Sequence, residues 1–274
     1  RPSRPRRAPS LTAPFGQPPL RAGIGLARSF ARHAPDAQLT IFTDQRAAFP
    51  FGEVVQTSYH ELIASLQGFY QNPDRQFRNV FRFLLFRQMQ AMHPGDDLCW
   101  IDADMLVFGD LAPHLPPGHV SVMAHGRRDG QAMDCGGGLV VPGERYAIGG
   151  LYALPAGPAL DHIDATLRAL PDWPDGGGPL RHMADQLALN HLVAHAGLPV
   201  HWITDDTRFI FNLEVADAHH PTVGDKGLAQ IELVDGLPHR GGRRIQVMCW
   251  IKKKLDAHNS GDFTTFRPEV AALL

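Results

Sequence analysis

The sequence is poor in cysteine, with only Cys99, Cys135 and Cys249 among its 274 residues. Three scattered thiols exclude a disulfide framework and a thiolate zinc site, and an odd number fits a reducing compartment. No apolar run reaches the roughly 18 residues of a spanning helix, and the opening residues lack the apolar segment of a secretory signal. These absences predict a cytoplasmic protein without a transmembrane segment.

The sequence also lacks an excess of either charge, because its net charge is −2 and only 20% of its residues are charged. This balance offers no general attraction to nucleic acid, so nucleic acid is not an expected partner. Basic residues cluster at positions 1–7 and again at Lys252, Lys253 and Lys254. Such clusters favour a solvated surface, with peripheral contact to an anionic membrane or an acidic acceptor as the alternative.

Proline is concentrated at the start of the chain, where residues 1–19 mix prolines with arginines. This composition favours extended backbone over packing, so residues 1–19 are predicted to be a poorly ordered segment. The remaining residues, 20–274, have the length and the hydrophobic content of one large domain.

Helical and strand patterns alternate along residues 20–274. Apolar residues recur at helical spacing in 20–33, 59–66, 159–170 and 181–195, and a stripe through Phe77, Phe81, Leu84, Leu85, Met89 and Met92 predicts a further helix packed on the core. Strands are predicted at 39–42, 54–55, 119–124, 139–141, 200–203 and 231–234. The alternation predicts an α/β fold with a mainly parallel sheet and helices on both faces.

Two acids follow a strand of four largely apolar residues, 98–101, and apolar residues resume directly after them. Asp102 and Asp104 are two apart, so they share a face and repel each other if the strand continues through them. A divalent cation such as Mn²⁺ or Mg²⁺ relieves that repulsion, because both ions prefer oxygen ligands. The alternative is a solvated turn acid beside a capping acid. Ligands of parallel sheets bind beyond the carboxyl ends of strands, where these acids fall.

Four other features are candidates for a site. Arg82 shares a helix face with Arg78, which indicates either a solvated face or a phosphate contact. Three glycines, 136–138, precede a strand and indicate close approach of a ligand or of another segment, a flexible loop being the alternative. The Asp185-Gln186 pair begins an apolar helical stretch, with a surface or cap feature as the alternative to a site. The sequence His239-Arg240-Gly241-Gly242 follows the strand at 231–234, and the alternative to a metal-binding His239 is a surface or packed histidine.

These features, between about residues 20 and 242, resemble the nucleotide-sugar glycosyltransferases of the GT-A fold. The most similar group is the retaining one that includes glycogenin and bacterial lipopolysaccharide galactosyltransferases. The resemblance implies Asp102, Asp104 and His239 as metal ligands, with His258 as the alternative third ligand. It implies donor contacts from Arg82, Asp102, Ala103 and Asp104, and it implies Asp185 and Gln186 as the catalytic pair beside the sugar and the acceptor. Gly136, Gly137 and Gly242 are predicted donor contacts because glycine lets a ligand approach the backbone closely.

The implied reaction moves a sugar from a nucleoside diphosphate sugar, with UDP favoured, to an acceptor hydroxyl with retention. The acceptor is a glycan, a lipid-linked molecule or a protein. The sequence departs from the family where Cys135-Gly136-Gly137 replaces the usual Asn-x-Gly and where residues 10–15 give only a weak opening strand.

Two other classes of protein share parts of this pattern. An Asp-x-Asp at a strand end also begins the haloacid-dehalogenase-like Mg²⁺-dependent phosphohydrolases, in which the first acid is the nucleophile. That motif lies on the first strand of its class, whereas about 100 residues precede it here. The third class is a non-catalytic protein that binds a sugar nucleotide or a glycan.

Overall fold

The computed structural model describes residues 9–15, 17–69, 80–124, 132–169, 184–203, 209–210 and 231–249. The helices in these residues are α1 (Gln17–His33), α2 (Tyr59–Phe69), α3 (Phe81–Met92), α4 (Pro158–Ala169) and α5 (Ala184–His195). The strands are β1 (Ser10–Thr12), β2 (Leu39–Thr43), β3 (Glu53–Gln56), β4 (Leu98–Ile101), β5 (Met105–Val107), β6 (Val120–Ala124), β7 (Ala132–Asp134), β8 (Val140–Pro142), β9 (Ala147–Leu154), β10 (Val200–Ile203), β11 (Phe209–Ile210), β12 (Ile231–Val234), β13 (Leu237–Arg240), β14 (Arg243–Arg244) and β15 (Val247–Cys249). The predicted α/β class is confirmed.

The chain divides into two compact units. The first contains Thr57–Trp100 and Leu115–Trp202, and the second contains Pro9–Gln56, Ile101–His114 and Ile203–Leu274. Each unit combines segments that are distant in the sequence, so both are assembled by contacts between remote residues.

The sheet of the first unit has the strand order β10-β6-β9-β4. Strands β6 and β9 pair antiparallel, with Ser121 opposite Ala153 and a bulge after Val122. An aromatic cluster packs beside β4 and β9, where the rings of Phe86 and Tyr152 stack with centroids 5.4 Å apart. The indole of Trp100 stacks on the same tyrosine at 6.4 Å. This cluster fixes α3 against β4 and β9.

Strand β9 is the largest element that the sequence did not predict. Its eight residues, Ala147–Leu154, are all buried. The strand contains Gly149 and Gly150, and glycine weakens the strand signal because it offers no side chain to pack. Tertiary packing in the interior of the first unit therefore overrides a low intrinsic preference.

The apolar stripe of α3 faces the core as predicted for Phe81, Leu85 and Met89, all of which are buried. Met92, at the last turn of the helix, is 42% exposed and does not belong to the core. Phe77, the first residue of the predicted stripe, lies outside the described residues. The stripe therefore packs over most of the helix but not at its end.

The second unit contains a parallel sheet of order β1-β2-β3. Strand β1 forms despite its weak sequence signal, with Ser10 opposite Leu39 and Thr12 opposite Ile41. Helix α1 packs on β5, where the Ser29 hydroxyl accepts a hydrogen bond of 3.0 Å from the amide of Val107 and donates one of 2.7 Å to the Leu26 carbonyl. These contacts hold the segment that follows the two strand-end acids.

Two smaller sheets complete the second unit. One has the order β11-β15-β5 and the other has the order β12-β13-β14. None of the helices in the described ranges is long and apolar enough to cross a membrane.

Candidate active site

The acids Asp102 and Asp104 lie in a tight turn between β4 and β5. The amide of Met105 donates a 3.1 Å hydrogen bond to the carbonyl of Asp102, which closes the turn. Strand β4 ends at Ile101, so the acids do not continue a regular strand and simple alternation does not set their directions. The residues that bracket the turn, Ile101 and Met105, are fully buried, whereas the acids are half-buried. Buried strands on both sides therefore fix a partly exposed pair of acids.

The donor set of this turn fits a hard divalent cation, because two carboxylates supply the oxygen ligands that Mn²⁺ and Mg²⁺ prefer. Among the described residues, however, no group of three His, Cys, Asp or Glu side chains is arranged to hold a metal ion. Asp102 and Asp104 are therefore not joined by His239 in such a group. His258 lies outside the described residues. The metal and its third ligand stay predictions.

His239 lies within a hairpin strand. The sequence places it after a strand, but the structure places it inside β13, opposite Glu232 on β12 and Arg244 on β14. Its Nδ1 lies 3.1 Å from the Leu237 carbonyl, so Nδ1 carries the proton and Nε2 is the basic nitrogen. An orienting bond of this kind is common in metal-binding histidines.

Gly241 and Gly242 form the turn between β13 and β14. Their φ angles are +56° and +71°. This backbone conformation favours glycine because a side chain is crowded there. The turn is therefore a sufficient reason for both glycines, and the predicted donor contact of Gly242 stays a prediction.

The first unit holds a buried ion pair between Arg82 of α3 and Asp185 of α5. Nη1 of Arg82 lies 2.7 Å from Oδ2 of Asp185, and the side chains are 14% and 1% exposed. The same nitrogen donates a 2.9 Å hydrogen bond to the Gly149 carbonyl. The guanidinium carbon also lies 5.0 Å from the centre of the Trp100 ring, which adds a cation–π contact. Asp185 was expected at an exposed or cleft-facing helix end, and its burial excludes a solvated helix start.

Two polar atoms beside this pair have no hydrogen-bond partner among the described residues. They are Oδ1 of Asp185 and Oε1 of Gln186, and both are buried. Gly149 lets the ion pair approach the backbone of β9, because a Cβ on this residue would lie 2.8 Å from Asp185 Oδ2 and 2.9 Å from Arg82 Nη1. Buried acceptors are almost always satisfied in native proteins. Two unpaired acceptors on consecutive residues therefore leave capacity for hydrogen bonds from hydroxyl or amide donors.

The three glycines are the loop of the β7–β8 hairpin. Gly136, Gly137 and Gly138 have φ angles of +73°, +60° and +80°. His191 of α5 reaches the start of this loop, where its Nε2 lies 3.1 Å from each of the Cys135 and Gly136 carbonyls. Gly137 and Gly138 are exposed, whereas Gly136 is buried. The hairpin loop is thus anchored at one side and open at the other.

The pKa values of two groups, the Cys135 thiol and the Tyr146 phenol, are raised. Burial, with the charge of Asp134 as a second cause, raises the pKa of the Cys135 thiol to about 12. Burial also raises the pKa of the Tyr146 phenol, and the charges of Cys135 and Asp185 add to the effect. Both groups are therefore neutral at physiological pH, and the thiolate that a nucleophile requires is absent.

Asn190 is a buried polar residue of α5 to which the sequence analysis gave no role. Its side-chain amide donates to the Ala147 carbonyl at 3.0 Å and to the Gln186 carbonyl at 2.7 Å, and its oxygen accepts from the Ala147 amide at 2.9 Å. The side chain therefore ties α5 to the start of β9. The signal that could have found it, and His191 beside it, is a polar pair within the apolar stretch 187–193, because buried polar residues need specific partners.

Comparison with known proteins identifies the fold. No protein-family model matches the sequence, and no curated protein matches it. Among solved structures, the apo form of WbbM, a bifunctional glycosyltransferase, superposes with a TM-score of 0.53 and 13% identity over 92% of this chain. An active-site mutant of LgtC superposes with a TM-score of 0.52 and 14% identity over 97% of this chain and 99% of its own. This chain spans 47% of the length of WbbM. The fold is thus the GT-A-like glycosyltransferase fold that the resemblance implied.

Proposed function

We propose that this chain is a glycosyltransferase that moves a sugar from a nucleoside diphosphate sugar to an acceptor hydroxyl, with retention. The bond between the anomeric carbon and the diphosphate oxygen breaks, and a bond from the same carbon to the acceptor oxygen forms. The acceptor loses its proton and the nucleoside diphosphate leaves. UDP is the favoured nucleotide, and a glycan, a lipid-linked molecule or a protein is the acceptor.

One observation carries this proposal. Over more than nine-tenths of its length the chain superposes on the two glycosyltransferases, and it has two half-buried acids in the turn that directly follows β4. Acids beyond the carboxyl end of a sheet strand suit the metal-bound diphosphate of a donor. The phosphohydrolase alternative gains no support, because the acids follow β4, and three strands precede β4 in the described chain.

Asp102 and Asp104 would hold the divalent ion in this proposal, with His239 or His258 as the third ligand. When bound there, the ion supplies positive charge against the leaving diphosphate. Nδ1 of His239 is engaged by a backbone carbonyl, which leaves Nε2 to coordinate, but the described residues do not bring His239 together with the two acids in a group of three ligands.

Asp185 and Gln186 would act on the sugar. Arg82 pairs with the carboxylate of Asp185 through its 2.7 Å contact with Oδ2, and the other oxygen, Oδ1, has no protein partner in the described chain. A fixed negative charge near the anomeric carbon stabilises the positive charge that develops there as the diphosphate leaves. The carbonyl oxygen of Gln186 accepts a hydrogen bond from a sugar hydroxyl and orients the ring. The solved LgtC structure carries a mutation in its active site, and the mutated residue is a glutamine.

A thermal-shift experiment tests the proposal without knowledge of the acceptor. The wild-type protein is heated with UDP, GDP, ADP or CDP, each with and without Mn²⁺. Ligand at about 100 times its Kd adds roughly 2.7 kcal/mol to the free energy of unfolding, which raises Tm by several degrees. We expect the largest shift with UDP and Mn²⁺ together, a smaller one in Asp102→Asn, and no change from wild type in the exposed control Asp36→Asn. The absence of any nucleotide-dependent shift would contradict the proposal.

A further inference from the structure

The two strands of the β7–β8 hairpin contribute little stability by themselves. It forms a separate two-stranded sheet, and Val140, in its second strand, is 59% exposed. Isolated two-stranded hairpins are marginally stable in water. The position of the glycine loop therefore depends on contacts outside the hairpin.

The local bonds of the loop fix its shape. The amide of Cys135 donates to the Leu139 carbonyl at 2.7 Å, and the amide of Leu139 donates to the Gly136 carbonyl at 3.0 Å. The amide of Gly136 donates to Oδ1 of Asp134 at 2.9 Å. All of these bonds lie within residues 134–139. They leave open where the loop lies relative to α5.

His191 supplies the link between the loop and α5. Its side chain is 7% exposed, and its Nε2 lies 3.1 Å from both the Cys135 and the Gly136 carbonyls. Two carbonyls can only accept, so the Nε2 proton must be present and is shared between them. His191 stands on the same rigid helix as Asp185 and Gln186. One imidazole therefore ties the glycine loop to the helix that carries Asp185 and Gln186.

We infer that His191 is a positioning residue that holds the exposed backbone of Gly137 and Gly138 in place for the sugar nucleotide. This inference rests on the proposed function. A side chain in place of either glycine faces strain, since both have positive φ angles, and a Cβ on Gly138 would meet no atom within 4 Å. A ligand can approach a backbone closely where glycine leaves open space on one side and a contact such as that of His191 holds the loop on the other.

The test compares His191→Leu, which removes the donor, with His191→Gln, whose side-chain amide can still donate to the two carbonyls. His195→Leu is the matched control, because His195 is exposed and lies one turn further along α5; its ring lies 5.6 Å from that of His191, so this variant also tests that ring contact. Hydrogen exchange is followed in peptides that cover residues 132–142, and KM and kcat for donor hydrolysis are measured with UDP-sugars and Mn²⁺. Circular dichroism first confirms that each variant unfolds at the same midpoint as wild type.

We expect exchange in 132–142 to rise at least about tenfold in His191→Leu and to stay within about twofold of wild type in His191→Gln and His195→Leu. We expect KM to rise about tenfold in His191→Leu with kcat nearly unchanged, because a displaced loop weakens ground-state binding. The inference is overturned if His191→Leu leaves exchange or KM unchanged while wild type is active. It is also overturned if exchange rises but kcat, and not KM, is affected. A wild-type protein that neither binds nor hydrolyses any donor refutes the proposed function itself, and the exchange data then separately report whether His191 anchors the hairpin.

Discussion

Nη1 of Arg82 lies 2.7 Å from Oδ2 of Asp185, and this carboxylate is 1% exposed although it belongs to a helix start 103 residues away in the sequence. The other carboxylate oxygen is buried without a protein partner among the described residues. A buried ion pair is not an efficient way to stabilise a fold, because the desolvation of both charges opposes their attraction. We propose that the half-satisfied carboxylate serves a ligand rather than the stability of the fold.

Removal of either charge from this pair should destabilise the protein. We expect Asp185→Asn and Arg82→Gln to lower the free energy of unfolding by about 3 to 5 kcal/mol each, because the remaining charge is left buried and uncompensated. Urea unfolding followed by circular dichroism measures the change. The matched control is Asp161→Asn. Asp161 is 76% exposed and pairs with Arg87, which lies on α3 like Arg82, so its loss should cost less than about 1 kcal/mol. Equal effects in the buried and exposed variants would show that the burial of the pair has no energetic consequence.

A methyl group at position 149 should disturb the same pair. We expect Gly149→Ala to cost about 1 to 3 kcal/mol, because its Cβ would lie 2.8 Å from Asp185 Oδ2 and 2.9 Å from Arg82 Nη1. In an Asp185→Ala background one of these contacts is gone, so the added cost of Gly149→Ala should fall by at least about half. A cost that is the same in both backgrounds would place the effect elsewhere, for example in strand propensity.

Alkaline pH should destabilise the protein through Cys135 and Tyr146. Burial raises the pKa of Cys135 to about 12 and also raises the pKa of Tyr146. The unfolded chain releases these protons near their ordinary pKa values while the folded chain retains them. The stabilising effect is therefore complete below about pH 9 and is lost as pH rises from there towards 12.

Urea midpoints measured between about pH 8 and pH 11 check this dependence. We expect the decline in Cys135→Ala and in Tyr146→Phe to be shallower than in wild type, since each variant removes one of the retained protons. Identical slopes in the three proteins would contradict the assignment of the alkaline loss to these groups.

The sequence predicted elements well where local pattern and burial agree. The stripe of α3 and the apolar run of β4 are read directly from spacing; β4 is buried as expected, and so are Phe81, Leu85 and Met89 of the stripe, but Met92 is exposed. Strand β9 was missed because Gly149 and Gly150 weaken its local signal, although all eight of its residues are buried. Strand β1 gives only three residues of pattern, and its parallel pairing with β2 sustains it.

The site was harder to predict because its relationships are not local. Nothing in the sequence joins Arg82 to Asp185, or His191 to the carbonyls of Cys135 and Gly136, since these contacts depend on how α3, α5 and the hairpin pack. The identities of Asp185 and Gln186 came from the resemblance, whereas their burial and unpaired oxygens are structural findings. The polar residues Asn190 and His191 in an apolar helix were the local sign of this network.

The most direct test of sugar transfer is donor turnover without an added acceptor, because many transferases slowly pass the sugar to water. Wild type, Asp102→Asn, Asp104→Asn and the exposed control Asp36→Asn are incubated with UDP-sugars and Mn²⁺, and the released UDP and free sugar are quantified. We expect wild type and Asp36→Asn to release both products in equal amounts, and each of the other two variants to lose at least about 100-fold in kcat/KM, the scale of a lost electrostatic contact to the leaving group. Absence of turnover by wild type with every nucleoside diphosphate sugar tested, or full turnover by Asp102→Asn and Asp104→Asn, would contradict the proposed transfer and the role of its two acids.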